Sequence, residues 1–315
     1  MEETGAIGRP SPTRILVLAG GRRIGCAEYG DPKGLPVLAL HGTPGSRLMF
    51  ALTHEAARER GVRLIAPERP GYGLSDTRQV ANLAQAAADI VAVADAYGLG
   101  RFGLVGVSGG GPFAVAAAAA NLDRVVLLAL AGPVGPIADF GGELRLSRWH
   151  RLLFRRLARS RLAARGFFGA LRYLVFEHPD LAYRLLLRRV RPSDREILAR
   201  PEVRASLRAA IREGLRRGVD GAVQDLRLFC APWQLQLSEI DVPAIIWQGS
   251  DDAIVPPAAA YALARKLPNC RLDVIPAGHY WVFDQFGMIL DAVAAALRAD
   301  AEVKEASHTS VESST

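Results

Sequence analysis

Ser108 stands within residues 106–110, Gly-Val-Ser-Gly-Gly, between an apolar run and a run of small, helix-forming residues. A strand, a sharp turn and a helix in this order are the setting in which Gly-x-Ser-x-Gly forms a nucleophile elbow. Such a turn holds its serine in a strained backbone conformation, and a Cβ on Gly106 or Gly110 would collide with the neighbouring turn. The string therefore predicts a serine hydroxyl held clear of its strand, where a base and a substrate can both reach it.

A serine hydroxyl is a poor nucleophile at neutral pH, and it needs a base that an acid orients in turn. Two further parts of the chain carry these residue types directly after an apolar run that we expect to form a strand. Asp251 and Asp252 follow the run 244–248, and His279 follows the run 272–275. Three separate strand ends thus carry a serine, an aspartate and a histidine, which is the set that nucleophilic acyl transfer requires.

The elements that must position these side chains can be predicted from the apolar patterning. Residues 14–19 and 24–29 predict a hairpin across Gly20 and Gly21. Continuous short apolar runs predict strands, and helical spacing of apolar residues predicts helices. The expected strands are 36–40, 62–66, 102–107, 125–131, 244–248 and 272–275, and the expected helices are 80–97, 112–122, 257–266 and 288–299. This alternation predicts an α/β fold with a mostly parallel sheet covered by helices on both faces, and function at the carboxyl ends of the strands.

The pattern changes between residues 133 and 236, where no strand is expected. Arginine-studded amphipathic helices are predicted at 148–165, 181–190 and 204–217. The segment holds 21 arginines, no lysine and 10 acidic residues, so its net charge is +11, whereas the rest of the chain nets −4. At the ends, residues 1–13 predict a flexible lead and residues 299–315 a disordered tail.

Length and composition limit the function classes. Half of the 315 residues are apolar, which is ample for a buried core. The three cysteines are odd in number and widely spaced, so they indicate neither a disulfide framework nor a metal site, and we expect a cytoplasmic protein without metal or organic cofactor. The acidic start lacks the apolar segment of a signal peptide, and no apolar run is long enough to span a bilayer.

With these motifs in place, the chain resembles the α/β-hydrolase superfamily, in its serine-nucleophile branch with a helical cap. The resemblance covers residues 14–132 and 237–298 as the core, and it makes 133–236 the cap insertion. The motif set is highly specific for the superfamily and poorly specific for substrate. One departure is Glu68, where relatives usually carry aspartate, and we expect that position to be structural. The matching pieces are residues 41–46 (His-Gly-Thr-Pro-Gly-Ser), 69–76 (Arg-Pro-Gly-Tyr-Gly-Leu-Ser-Asp), the elbow, 249–256 (Gly-Ser-Asp-Asp-Ala-Ile-Val-Pro) and the pair Gly278-His279.

The resemblance and the chemistry together imply the roles. Ser108 would attack the acyl carbonyl and His279 would act as general base and then general acid. The register of the family motif favours Asp252 over Asp251 as the acid that orients the imidazole. The backbone amides of Gly109 and Thr43 are expected to form the oxyanion hole.

The cap insertion is expected to lie over the strand ends and to shape the substrate pocket. Its arginines have two interpretations: a solvated outer face, which we favour, or attraction of an anionic substrate or an anionic membrane surface. We expect no nucleic-acid partner, because no aromatic interleaving accompanies the charge. The apolar candidates for the pocket or for packing are Leu152, Leu153, Phe154, Leu157, Phe167, Phe168, Leu185, Leu186 and Leu187, together with Trp149, Trp233 and Phe140.

The remaining histidines and aromatic residues are given structural roles. His41 is expected to brace its loop by hydrogen bonds. Helix packing is the favoured interpretation for Tyr280, Trp281, Phe283 and Phe286, and no function is assigned to His54, His150, His178 and His308.

The expected function is hydrolysis of a small ester, thioester or lactone through an acyl-enzyme. The same triad could instead cleave a carbon–carbon bond or an aminopeptidase substrate, or act as a cofactor-free perhydrolase. A third alternative is a small-molecule receptor with little turnover. A serine at the elbow argues against haloalkane dehalogenase or epoxide hydrolase, whose chemistry uses aspartate there. The sequence leaves the oligomeric state open.

Overall fold

An eight-stranded sheet forms the centre of the molecule, in the order β1-β2-β4-β3-β5-β6-β7-β8. The structure is a computed structural model that describes residues 13–140 and 148–312, and residues 139, 140, 148 and 308–312 by backbone only. β1 and β2 pair antiparallel as a hairpin, β2 pairs antiparallel with β4, and all other neighbours are parallel. The strands are β1 Arg14–Val17, β2 Arg23–Gly30, β3 Leu35–Leu40, β4 Val62–Pro67, β5 Phe102–Val107, β6 Val125–Ala131, β7 Ala244–Gly249 and β8 Cys270–Ile275.

Helices cover both faces of this sheet. One apolar cluster packs α2, α3 and α10 against the first face, and a second packs α1 and α11 against the other. β5 and β6 are buried along their whole length, which explains why their sequences are apolar throughout rather than alternating. The sequence prediction of a mostly parallel, doubly covered sheet is therefore confirmed. These helices are α1 His54–Glu59, α2 Leu83–Ala96, α3 Gly111–Ala119, α10 Pro257–Lys266 and α11 Val282–Glu312.

The cap insertion lies between β6 and β7, and its described part contains helices and no strand. The single helix predicted at 148–165 is broken, because Ser160 leaves the helical conformation and its side chain caps the next helix at the Ala163 amide, 3.2 Å away. The last helix, α9, packs Leu228 and Phe229 into the core of the sheet and Ala222 and Leu226 against other cap helices. The helices of the cap insertion are α4 Arg148–Arg151, α5 Arg161–Glu177, α6 Pro179–Leu187, α7 Pro192–Ala199, α8 Pro201–Gly214 and α9 Asp220–Cys230.

The prediction of a disordered tail from residue 299 is wrong as far as residue 312, because α11 continues to Glu312. Alanine, glutamate and lysine in this stretch are good helix formers. An ion pair between Arg101 and Asp300, and a second from Asp300 to Lys304 one turn later, fix the start of the extension. Most of the predicted N-terminal lead lies outside the described residues. None of the helices described is both long and apolar enough to cross a membrane.

Candidate active site

The turn after β5 places Ser108 in the left-handed region, with φ of +52°. This conformation is strained for a residue with a side chain, and it turns the chain sharply from the strand into α3. A Cβ on Gly106 would lie 2.8 Å from that of Ala114, and one on Gly110 would overlap the carbonyl of Leu40. The steric requirement for glycine that the sequence predicted at both positions is therefore present.

Ser108, His279 and Asp252 meet at hydrogen-bonding distance although they come from three separate strand ends. The Oγ atom of Ser108 lies 3.1 Å from Nε2 of His279, and Nδ1 of the same imidazole lies 2.6 Å from Oδ2 of Asp252. A neutral imidazole in this position donates from Nδ1 to the carboxylate and accepts the serine hydroxyl at Nε2. The arrangement can move a proton from Ser108 to His279 while a carboxylate stabilises the imidazolium.

Asp252 reaches the imidazole and Asp251 does not. The Oδ1 atom of Asp252 accepts the amides of Ile254 and Val255, both at 2.8 Å, and Oδ2 also accepts Nε2 of Gln248 at 3.1 Å. These donors fix the carboxylate in one orientation. Asp251 is exposed and forms an ion pair with Arg191 at 3.0 Å. The choice between neighbouring aspartates that the family register favoured matches this geometry.

The electrostatic environment of His279 favours its charged form. Burial by itself lowers the pKa of His279, but the charge and hydrogen bond of Asp252, together with the charge of Asp194, leave that pKa above its ordinary value of 6.5. A base with a raised pKa accepts a proton more readily, although it requires a higher pH to be neutral at rest.

Thr43 and Gly109 line the cavity beside Ser108. The hydroxyl of Thr43 donates to Oδ2 of Asp225 at 2.6 Å and accepts Nη2 of Arg69 at 2.9 Å, so the loop that carries Thr43 is held firmly. A Cβ on Gly109 would lie 2.5 Å from the hydroxyl oxygen of Thr43, so this close packing requires glycine. The two residues predicted for the oxyanion hole are thus side by side next to the serine.

Asp225 and Asp194 were not found by sequence reasoning. Asp225, on α9, is 2% exposed, and its Oδ2 accepts the hydroxyl of Tyr72 and a nitrogen of Arg69, each at 2.7 Å, besides Thr43. Asp194, on α7, accepts the backbone amides of His279 and Tyr280. Both carboxylates come from the cap insertion, and no spacing in the sequence connects them to the loops that they hold.

Glu68 has the structural role that the sequence suggested. Its buried carboxylate accepts Nη1 of Arg47 and the amide of Leu74, each at 2.7 Å. Arg47 also pairs with Glu213 of α8 at 2.7 Å, so the same cation joins the core to the cap insertion.

A cavity of about 1230 Å³ lies between the sheet and the cap insertion, and all three residues of the Ser-His-Asp set line it. Trp149 contributes to its wall as expected, whereas Trp233 is buried in the core and Phe140 lies outside the described side chains. Tyr280 and Phe283 line the cavity besides packing, while Trp281 and Phe286 are buried in the core. Of the apolar candidates, Leu153, Phe154, Phe167, Phe168, Leu185 and Leu186 line the cavity, whereas Leu152, Leu157 and Leu187 are outside its wall.

Five arginines of the cap insertion line this cavity, and we call them its basic rim because four of them are exposed: Arg188, Arg189, Arg191, Arg208 and Arg212. Arg191 and Arg208 are paired with Asp251 and Asp180, each at 3.0 Å. Arg189 lies 3.7 Å from the ring centre of Trp149 and Arg212 lies 4.4 Å from that of Phe176, and together with Arg188 they give the apolar cavity a basic rim.

His41 braces its loop as expected. Its Nδ1 lies 2.8 Å from the carbonyl of Gly42 and its Nε2 accepts the amide of Arg69 at 3.3 Å. Burial and the Arg69 charge lower the pKa of His41, which keeps it neutral. His150 lies 3.0 Å from the carbonyl of Ile254, and His54 accepts the amide of Gly30 at 3.1 Å.

No metal site was found among the residues that the structure describes, where no three His, Cys, Asp or Glu side chains are grouped as ligands. The side chain of His308 lies outside those residues. Cys26, Cys230 and Cys270 are free, and burial raises the pKa of the first two thiols to about 12, so they stay protonated and unreactive.

Comparison with known proteins identifies the family. The sequence model of the alpha/beta hydrolase fold matches residues 36–286, which is most of the chain. The chain belongs to the alpha/beta hydrolase family. As a member it is a hydrolase, and the resemblance drawn from its motifs is confirmed.

Three proteins illustrate what this alpha/beta hydrolase is similar to. It is 26% identical over 281 residues to the 2-hydroxymuconate semialdehyde hydrolase of Pseudomonas putida, covering 84% of this chain and 86% of that protein. A thermophilic esterase from Thermogutta terrifontis is 26% identical with a TM-score of 0.65, over 92% of this chain and 99% of the esterase. The enol-lactonase from Burkholderia xenovorans LB400, 19% identical with a TM-score of 0.66 over 90% of this chain and 100% of its own, shares the fold.

Proposed function

We propose that the protein is a serine hydrolase that cleaves an ester, thioester or lactone through an acyl-enzyme. The observation that carries this proposal is the chain of two hydrogen bonds from Ser108 Oγ through the His279 imidazole to Asp252, at 3.1 and 2.6 Å. A buried imidazole that contacts both a hydroxyl and a carboxylate is arranged to activate that hydroxyl.

In the first half of the reaction, Ser108 Oγ attacks the acyl carbonyl carbon while its proton passes to Nε2 of His279. The amides of Thr43 and Gly109 would stabilise the oxyanion, and each such donor contributes about 3 kcal/mol in the transition state. The imidazolium then gives its proton to the leaving oxygen or sulfur as the bond to the acyl carbon breaks. In the second half, His279 takes a proton from water, the resulting hydroxide attacks the acyl-enzyme, and the acid departs as Ser108 regains its proton.

The cavity supports a substrate with a sizeable apolar part. Its volume of about 1230 Å³ exceeds what a short acyl ester requires, and its wall is built largely from apolar side chains of the cap insertion. The basic rim argues against the aminopeptidase alternative, because arginines such as Arg188 in the cavity wall would repel a substrate with a free ammonium group. The free cysteines favour a reducing compartment, so we also propose a cytoplasmic location.

Cleavage of a carbon–carbon bond is the second candidate. It is supported by the similarity to the 2-hydroxymuconate semialdehyde hydrolase over 84% of the chain. The same set of Ser108, His279 and Asp252 would serve, so the bond that is cleaved must be decided by assay. Turnover of 2-hydroxymuconate semialdehyde that exceeds turnover of every ester would replace the first candidate by the second.

A fluorophosphonate probe tests the nucleophile directly. We expect covalent labelling of the parent protein at Ser108, shown by peptide mass spectrometry, and none of Ser108→Ala. Hydrolysis of p-nitrophenyl esters should fall by roughly 10⁶-fold in that variant, as is typical when a serine nucleophile is removed. A folded parent protein that resists the probe, and that binds a ligand without turning it over, would favour the receptor alternative.

A further inference from the structure

Asp194 is a fully buried carboxylate in the first turn of α7, with 0% of its surface exposed. Its Oδ2 accepts the backbone amide of His279 at 2.9 Å, and its Oδ1 accepts the next amide, that of Tyr280, at 2.6 Å. Two consecutive amides of the loop that carries the imidazole therefore end on one side chain of the cap insertion, 85 positions away in the sequence. Charge-assisted bonds of this kind are among the stronger hydrogen bonds in proteins.

The loop is shaped to receive this carboxylate. A Cβ on Gly278 would overlap all of the terminal atoms of Asp194, so the close approach depends on glycine directly before the histidine. Within the part of the chain that the structure describes, no arginine or lysine forms an ion pair with Asp194. Burial raises the pKa of Asp194 above its ordinary value, with a further rise from the Asp252 charge, whereas the two amides and the charge of His279 oppose that rise.

We propose that Asp194 is a positioning residue that acts through His279: the cap insertion holds the imidazole in reach of Ser108 and stabilises the imidazolium that forms during proton transfer. The proposal rests on the proposed serine-hydrolase function. Asp252 binds the imidazole ring itself, whereas Asp194 fixes the backbone from which the ring projects. The position of the ring thus depends on two carboxylates, one after β7 in the core and one at the start of α7 in the cap insertion.

The ionisable groups around His279 fix the direction of the expected pH effect. Asp252 and Ser108 contact the ring itself, from the loop after β7 and from the elbow. Asp194 contacts the backbone amide of His279 from α7, and the Tyr280 ring centre lies 5.4 Å from that of the imidazole. Burial lowers the pKa of His279, and the charges of Asp252 and Asp194 raise it. Removal of the Asp194 charge should therefore lower the pKa of His279, so that the ring becomes neutral at a lower pH.

The decisive variant is Asp194→Asn, which keeps the size of the side chain and removes its charge. It also replaces one of the two acceptor oxygens by an NH₂ group, so one backbone amide loses its acceptor. We expect a lower pKa of His279 by NMR titration of the imidazole. We also expect a kcat reduced about ten- to hundredfold, with KM for a neutral ester unchanged, because a small displacement of a catalytic group has this effect. The acid limb of kcat/KM should move to lower pH by the same amount as the titration.

Asp180→Asn is the matched control, because Asp180 is an exposed carboxylate of the cap insertion that pairs with Arg204 and Arg208 and does not contact the His279 loop. It should change neither the titration nor kcat. If Asp194→Asn folds and keeps the parent titration and kcat, the proposal is wrong. A purely structural role would lower the melting temperature and leave the pH limb in place.

Should Asp194→Asn not fold, Asp194→Ser removes the charge with a smaller polar side chain, and the same two readouts apply. The parent protein supplies a further measurement if neither variant folds. The carboxyl ¹³C shift of Asp194 must be that of a carboxylate at neutral pH, and a protonated Asp194 there would overturn the proposal. The titrations need no substrate, whereas probe labelling of Ser108 tests the serine-hydrolase function, so the two hypotheses can fail separately.

Discussion

At the scale of single residues, the site depends on carboxylates that are each held by several donors. Asp252 is fixed by two amides and a glutamine, Asp225 by a hydroxyl network, and Asp194 by two amides. A carboxylate that accepts several hydrogen bonds keeps one orientation, so it can orient a neighbour in turn. Asp252, which is held in this way, and its exposed neighbour Asp251 should therefore differ in their effect on kcat.

Asp252→Asn and Asp251→Asn form a matched pair for this point. Asp252→Asn should lower kcat by roughly 10⁴-fold, because an amide in place of the carboxylate favours the wrong imidazole tautomer. Asp251→Asn loses only an exposed ion pair with Arg191, so kcat should remain within about twofold and stability within about 1 kcal/mol. Steady-state kinetics on a p-nitrophenyl ester check both, and equal losses in the two variants would contradict the assignment of Asp252.

At the scale of elements, the elbow is formed by the close packing of β5, α3 and the end of β3. The Ser108 backbone can adopt its left-handed conformation because glycines on either side let the neighbouring backbone approach. Strain at the nucleophile is thus supported by the packing of three elements rather than by the turn alone.

Gly110→Ala should show this dependence. The added Cβ would overlap the Leu40 carbonyl, which is backbone and cannot move aside cheaply, and we expect about 3 kcal/mol of destabilisation together with loss of activity. Gly100→Ala is the control, because its Cβ would meet nothing within 4 Å at an exposed position. Its free energy of unfolding, measured in urea, should stay within about 1 kcal/mol of the parent value. An equally stable Gly110→Ala variant would show that the elbow is looser than the packing indicates.

Prediction from sequence succeeded where local pattern decides the element. Buried parallel strands such as β5 and β6 are apolar throughout, and the motif residues follow them directly. The sheet, the sharp turn at Ser108 and the grouping of that serine with His279 and Asp252 could therefore be predicted. The helices of the cap insertion were harder, because a single serine at position 160 ends one helix and begins another. Asp194 and Asp225 could not be predicted, since their partners lie 85 and up to 182 positions away and only the folded cap insertion brings them together. The continuation of α11 was missed because small polar residues resemble a disordered tail.

At the scale of the whole molecule, the cap insertion and the sheet enclose the cavity between them. The strand ends of the sheet supply Ser108, His279 and Asp252, while α5, α6 and α8 supply most of the apolar wall. Of the arginines that line the cavity, Arg208 and Arg212 lie on α8, and the other three lie between α6 and α7. The side chains of the proposed chemistry therefore lie mainly at the strand ends, and most of the pocket wall lies on the cap insertion. A change in that apolar wall should alter substrate selection, whereas Asp194 and Asp225 are cap residues that also reach the reactive groups.

Leu171→Trp tests this division, because Leu171 of α5 lines the cavity and a larger side chain would fill part of it. We expect kcat/KM for a long-chain p-nitrophenyl ester to fall by about tenfold or more while that for the acetate stays within about twofold. Leu162→Trp on the same helix is the control, since Leu162 is 82% exposed and does not line the cavity. A uniform loss across chain lengths would place the effect on the chemistry instead.

The double attachment of α9 has a consequence for how such a protein can diverge. This helix inserts Leu228 and Phe229 into the core beneath it, and its Asp225 reaches Thr43 beside the nucleophile. By contrast, α5 and α6 line the cavity and expose much of their remaining surface, so drift and selection can change them to admit new molecules. Substitutions in α9 are constrained both by the core and by the loop of Thr43. New specificities in descendants of this protein should therefore arise in helices that precede α9.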